Sequence, residues 1–121
     1  MDFEKLEVWK RSARLSVSLY KNVSGHRDWG YRDQITRSGL SVPSNIAEGM
    51  SREGPREKVR FLLIAKGSCA ELRTQLYIGQ AAGMLLPEYA ARAVNETREI
   101  AAMLASLINT IRSQSQADGT K

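Results

Sequence analysis

The chain has 121 residues, 42% of them hydrophobic types, which is enough for one compact domain with its own core and leaves little room for a second. Its net charge of +5 and pI near 9.7 attract polyanions, and the excess is uneven: residues 1–83 carry 14 Lys and Arg against 9 Asp and Glu, residues 84–121 four against four. The opening Met-Asp-Phe-Glu has no basic n-region, and no apolar run approaches a signal peptide or a membrane span, which predicts a cytoplasmic chain with no membrane partner.

Three prolines, nine glycines and two phenylalanines, set against many Ala, Leu, Arg and Glu, favour an all-α fold, because unbranched side chains lose little rotamer freedom in a helix. Breaker clusters at 24–30, 51–55 and 83–87 each pair a glycine with a second glycine or a proline. They predict helices near 4–23, 31–50, 55–82 and 87–113. The short connections predict an antiparallel, up-down-up-down four-helix bundle over 1–113, with a flexible polar tail at 114–121.

On the first helix, Leu6, Trp9, Ala13, Val17 and Tyr20 form one apolar stripe, and Val8, Leu15, Leu19 and Val23 form a second beside it. Together they span roughly half the circumference, more than one bundle core ordinarily requires. Either the core is generous or the second stripe packs on another copy of the chain; the latter is the expectation, since an exposed patch of that size is uncommon on a monomer. The remaining face, with Lys10, Arg11, Arg14 and Lys21, is basic.

The second helix places Ile35, Leu40, Val42, Ile46, Ala47 and Met50 on one side and Gln34, Arg37, Ser41, Ser44, Asn45 and Glu48 on the other, with a kink expected between Gly39 and Pro43. The third is apolar in nearly every direction, through Phe61, Leu62, Leu63, Ile64, Leu72, Leu76, Tyr77 and Ile78, and is therefore expected to be covered on more than one side. It also carries Ser68, Glu71 and Gln75 at spacings of three and four, after Gly67, where another backbone could come close. The polar stripes of helices two and three either meet and pair or each face water. Cys69, the lone cysteine, lies in an apolar stretch and is expected to pack as a small hydrophobe. The fourth helix has the plainest seam, Ala93, Thr97, Ile100, Leu104, Leu107 and Ile111, led by Tyr89, opposite an almost neutral face with Arg92, Asn95, Arg98, Glu99 and Asn109.

The string Gln34-Ile35-Thr36-Arg37 followed by Ser41-Val42-Pro43-Ser44-Asn45-Ile46-Ala47-Glu48-Gly49 resembles the signature of the four-helix-bundle proteins encoded in intervening sequences of bacterial 23S ribosomal RNA genes. The opening Phe3-Glu4-Lys5-Leu6-Glu7-Val8-Trp9 is similar to that family's start, and Ala65-Lys66-Gly67-Ser68-Cys69-Ala70-Glu71-Leu72, with Gln75 and Leu76, to its third-helix motif. The resemblance spans roughly residues 3–111. It implies a bundle that closes into a homo-oligomeric ring of five copies, and a similarity to accessory proteins of diversity-generating retroelements, which pair with a reverse transcriptase and bind nucleic acid. It implies no known activity. Residues 26–30 depart from the family's Phe-Pro and acidic pattern in the first loop, so loop contacts are not carried over.

No Gly-rich phosphate loop, zinc spacing or nucleophile elbow is present, and the one histidine, His26, cannot build the paired Glu-x-x-His of a bundle di-iron site. Glu48 and Glu71 could face each other across two helices, but with no nucleophile or metal beside them the expectation is a non-enzyme without cofactor. The sequence thus points to an oligomer that binds nucleic acid, RNA first, through phosphate contacts from Lys10, Arg11, Arg14 and Lys21 on helix one and Arg52, Arg56, Lys58 and Arg60 around the second loop. Against this, such cations can simply balance nearby acids, as Glu7 could Arg11. The alternative function is a protein-interaction scaffold or accessory subunit that docks an acidic or nucleic-acid-bound partner such as a polymerase.

Overall fold

The computed structural model describes residues 2–23 and 27–118. Residues 24–26, including His26, and the last three of the expected tail lie outside the described residues. A 3-10 turn, Phe3–Lys5, leads into four α-helices: α1 (Glu7–Val23), α2 (Trp29–Met50), α3 (Pro55–Ala81) and α4 (Pro87–Asp118). The last helix therefore continues through 114–118, where a tail is expected from sequence; polar residues without apolar periodicity can still extend a helix already propagated.

Local chemistry sets the ends. The Asp28 carboxylate accepts the Tyr31 N–H at 2.9 Å and starts α2 two residues earlier than the expected position. Gly54 in extended conformation followed by Pro55 in the first turn opens α3. Gly83, at φ 76, closes it: the Met84 N–H reaches the Gly79 carbonyl at 2.7 Å and the Gly83 N–H that of Gln80 at 3.1 Å, satisfying carbonyls the helix end leaves free.

Cross-helix pairs establish the antiparallel order. Ser38, Ser41 and Gly49 of α2 meet Glu71, Ser68 and Phe61 of α3 in descending sequence. Arg11 and Ser18 of α1 meet Glu96 and Tyr89 of α4 in the same sense. The helices follow one another around the bundle, so that α1 and α3 occupy diagonal corners.

The core runs the length of the bundle, with Leu19, Ile35, Ile46, Leu62, Leu72, Leu76, Ile100 and Leu104 all fully enclosed. The seam expected on α4 is buried except for Leu107, which is half-buried, and Tyr89 joins it. The reading of α1 is reversed in one respect: Val8, Leu15, Leu19 and Val23 enter the core, whereas of the Leu6-to-Tyr20 stripe Leu6 and Trp9 pack at the core's edge, half-buried, and the far end turns outward, with Val17 53% and Tyr20 49% exposed. Both stripes are comparably apolar, and which one faces in is decided by where α2 and α4 lie. Leu40 of α2 is likewise exposed rather than buried. Pro43 does not end α2; near it, a Cβ on Gly39 would collide with the Leu19 methyl, so the proline-bearing stretch is the place where α2 and α1 come close.

Cys69 is fully buried, and burial pushes its thiol up to about 11, as expected for an inert packed side chain. Leu72, with no exposed surface, touches the centre of the core. Leu72→Ala is expected to lower unfolding free energy by about 2–5 kcal/mol, read from urea denaturation, because the surrounding helices cannot fully collapse into the space.

Candidate nucleic-acid interface and inter-helix polar network

The eight basic residues singled out from sequence divide into two groups. Arg11 reaches across to α4, its Nε donating to Glu96 Oε2 at 2.9 Å and its Nη2 to Glu96 Oε1 at 2.5 Å and Glu99 Oε1 at 2.7 Å. Glu96 first, then Glu99, hold the guanidinium firmly in its charged form. Arg11 is thus a helix–helix tie; the i,i+4 pairing with Glu7 does not form, and Glu7 pairs with Lys10 at 3.6 Å instead. Lys58 folds back to donate to the Met50 and Arg52 carbonyls, occupying acceptors that the end of α2 leaves open. Arg52 and Arg60 both lie over the Phe61 ring, at 5.0 and 4.4 Å, and pair with Glu48 and Glu57 respectively.

Arg14, Lys21 and Arg56 remain exposed, and none of them makes a hydrogen bond or ion pair with the described residues. Lys10, Arg14 and Lys21 form one row along the outside of α1. The same helix forms one wall of an apolar groove between α1 and α2, about 440 Å³, lined among others by Trp9, Val17, Tyr20, Leu40, Pro43 and Ser44. A second apolar surface covers the outer side of α3, where Leu63, Ile64, Tyr77 and Ile78 are each 42–56% exposed.

The polar stripes of α2 and α3 meet in part. Ser41 and Ser68 hydroxyls lie 2.8 Å apart, and Asn45 donates to the Ser41 hydroxyl at 3.0 Å and its carbonyl at 2.8 Å. Ser38, not singled out from sequence although it precedes Ser41 by one turn, is buried and donates to Glu71 at 3.1 Å. Gln75 contributes its main-chain carbonyl, which accepts the Tyr31 hydroxyl at 2.7 Å, while its buried Oε1 has no hydrogen-bond partner among the described residues. A Cβ on Gly49 would lie 2.8 Å from Phe61 Cβ, so this glycine lets the two helices approach. Gly67 does not serve that purpose within the chain: it faces open space on the exposed side of α3. Gln34 and Arg37 are exposed and stand outside the network, and Glu48 pairs with Arg52 instead of facing Glu71. The proposed Glu48–Glu71 juxtaposition is therefore absent. Among the described residues no group of three or more His, Cys, Asp and Glu could hold a metal, and no helix is long and apolar enough to cross a membrane.

Sequence reading missed Glu96 as the partner of Arg11, because nothing in local spacing shows that α4 lies beside α1. The consequence is measurable through Glu99, whose carboxyl is held below its ordinary range by the hydrogen bond from Arg11. A depressed folded-state value contributes stability above the unfolded value of about 4.3 that is lost as pH falls through the folded one. Arg11→Ala is therefore expected to lower Tm at pH 7, and the gap to the parent is expected to close as the acid limb is descended, read by circular dichroism melting across pH.

The comparisons with known proteins agree with this architecture. The model of the 23S rRNA-intervening sequence protein family matches residues 4–106. A solved structure, described as a protein with unknown function from the S23 ribosomal protein family of Bacteroides thetaiotaomicron VPI-5482, is similar at 26% identity and TM-score 0.78, over 84% of this chain and 97% of that one. No curated protein matches the sequence. With four antiparallel helices carrying the Ser-Val-Pro-Ser-Asn-Ile-Ala-Glu-Gly string on α2 and a family match over most of its length, the chain belongs to the 23S rRNA-intervening sequence protein family.

Proposed function

We propose that this protein is a non-enzymatic, cytoplasmic oligomer that binds RNA through cations on its outer surface. The observation that carries the reading is the outward face of α1, where an apolar stripe through Val17 and Tyr20 runs beside a row of Lys10, Arg14 and Lys21. An apolar groove of that kind favours burial against another protein surface, and the cations of the row, of which Lys10 is paired with Glu7 while Arg14 and Lys21 have no carboxylate partner among the described residues, favour phosphate.

Self-association is supported by there being two such apolar surfaces, one between α1 and α2 and one on α3, at different corners of the bundle. Two unlike patches on one chain favour a head-to-tail contact, which closes into a ring when the rotation allows; a single self-complementary patch would favour a two-fold dimer. The ring of five implied by the family resemblance is consistent with that geometry. Repetition around a ring would raise the effective concentration of weak phosphate contacts.

Native mass spectrometry is expected to give a multiple of the chain mass, and Leu40→Glu with Ile78→Glu is expected to return it to one copy with its helices intact; a monomeric parent would overturn the assembly. In a titration with structured RNA, affinity is expected to fall by more than about tenfold between roughly 50 and 200 mM salt, and Arg14→Glu with Lys21→Glu to abolish binding. An absence of binding even at low salt would favour the second reading, an accessory subunit that docks an acidic or nucleic-acid-bound protein such as a polymerase.

A further inference from the structure

Between α1 and α4 the bundle does not close. The two helices are tied at one level by Arg11 to Glu96 and Glu99, and one and a half to two turns further along by the Ser18 and Tyr89 hydroxyls, 2.7 Å apart. A cleft of about 420 Å³ opens between these ties. Its volume falls within the range of small-ligand sites, and its walls carry far more polar chemistry than the apolar groove on the other side of α1.

The charges of the cleft are arranged in a particular way. Arg14 on α1 and Arg92 on α4 stand on its two walls, both exposed and neither in an ion pair among the described residues. The acids nearby, Glu96 and Glu99, are engaged by Arg11, so they do not quench the other two arginines. One guanidinium against two carboxylates, plus two unpaired guanidinia, leaves the site net positive. Asn22 lines the same space, and at the floor the Ser18 hydroxyl donates to the Leu15 carbonyl and accepts from the Tyr89 hydroxyl, so both of those protons are already used within the protein. Two guanidinium forks on opposite walls are a donor set suited to the oxygens of a phosphate, which accept bidentate pairs from arginine.

We infer that the α1–α4 cleft is a nucleotide-phosphate site, in which Arg14 and Arg92 clamp the phosphate from opposite helices. The phosphate could belong to an RNA strand or to a free nucleoside monophosphate. This inference rests on the nucleic-acid reading only for the first source. Arg92 is the informative residue, since it lies on the otherwise nearly neutral α4, away from the basic row of α1.

The test is calorimetric titration of the intact protein with adenosine 5′-monophosphate and, separately, with a ten-nucleotide single-stranded RNA, comparing the parent with Arg92→Gln, Arg14→Gln and, as a control at the other end of the bundle, Arg56→Gln. Both arginines of the cleft are exposed, so melting temperatures should be unchanged. The expected result is a loss of about tenfold or more in affinity for Arg92→Gln, with a shallower salt dependence by about one unit of slope for the RNA, and a smaller effect from Arg56→Gln. If the parent binds RNA and Arg92→Gln binds it with equal affinity and equal slope, the cleft is not the site, while the RNA reading survives. If only the monophosphate binds, and Arg92 is needed, the cleft is a free-nucleotide site and the RNA reading falls. Binding of neither probe overturns both.

Discussion

The close antiparallel contact of α2 with α3 is the constraint on which the other surfaces depend. It is built from small groups: Gly49 against Phe61, Ser41 against Ser68, Ser38 against Glu71, and the Tyr31 hydroxyl on the Gln75 carbonyl. Each of these contacts holds the helix axes near one another, and the hydroxyls cannot slip a residue without losing a buried partner. With the register held in this way, Ile35, Val42 and Ile46 face Leu62, Leu72 and Leu76, all of them at 2% exposure or less. A helix pair locked by hydrogen bonds as well as by apolar area resists rotation, which area alone does not.

That fixed rotation decides what is left outside. Turning Ser68, Leu72 and Leu76 inward presents Leu63, Ile64, Tyr77 and Ile78 to the exterior, together with Gly67. On the other side, Leu19 seated against Gly39 sets the rotation of α1 and leaves Val17 and Tyr20 beside Leu40. The exposed apolar surface is therefore a consequence of how the core is satisfied, and it falls on two separate corners. In the proposed function, its position beside Arg14 and Lys21 puts assembly and polyanion binding on the same helix.

Electrostatics in this bundle has two jobs that net charge cannot separate. Arg11 and Lys58 hold the fold: one bridges two helices through carboxylates, and the other occupies carbonyls at a helix end. Arg52, in the loop after α2, and Arg60 on α3 are steadied by the Phe61 ring and by acids close by in the chain, Glu48 and Glu57. Exposed pairs of that kind add little stability, and their cations remain near solvent. Arg14, Lys21, Arg56 and Arg92 make no hydrogen bond or ion pair among the described residues, and the proposed phosphate contacts rest on cations of this kind.

The residue pattern by itself determined the helix count, the chain order and most of the core, because apolar spacing of three and four and the glycine and proline breaks are local properties; the family string around Ser41 to Gly49 was equally legible. The meeting of Ser41 with Ser68 was open at that level, and Ser38 could have been found from its one-turn spacing. Only the tertiary structure decided which apolar stripe of α1 faces inward, that Arg11 belongs to Glu96, that Glu48 turns away from Glu71, and that a cleft separates Arg14 from Arg92. The reason is physical: periodicity records that a face is apolar or charged, whereas the identity of what lies opposite depends on helix rotation and on contacts up to some ninety residues apart along the chain.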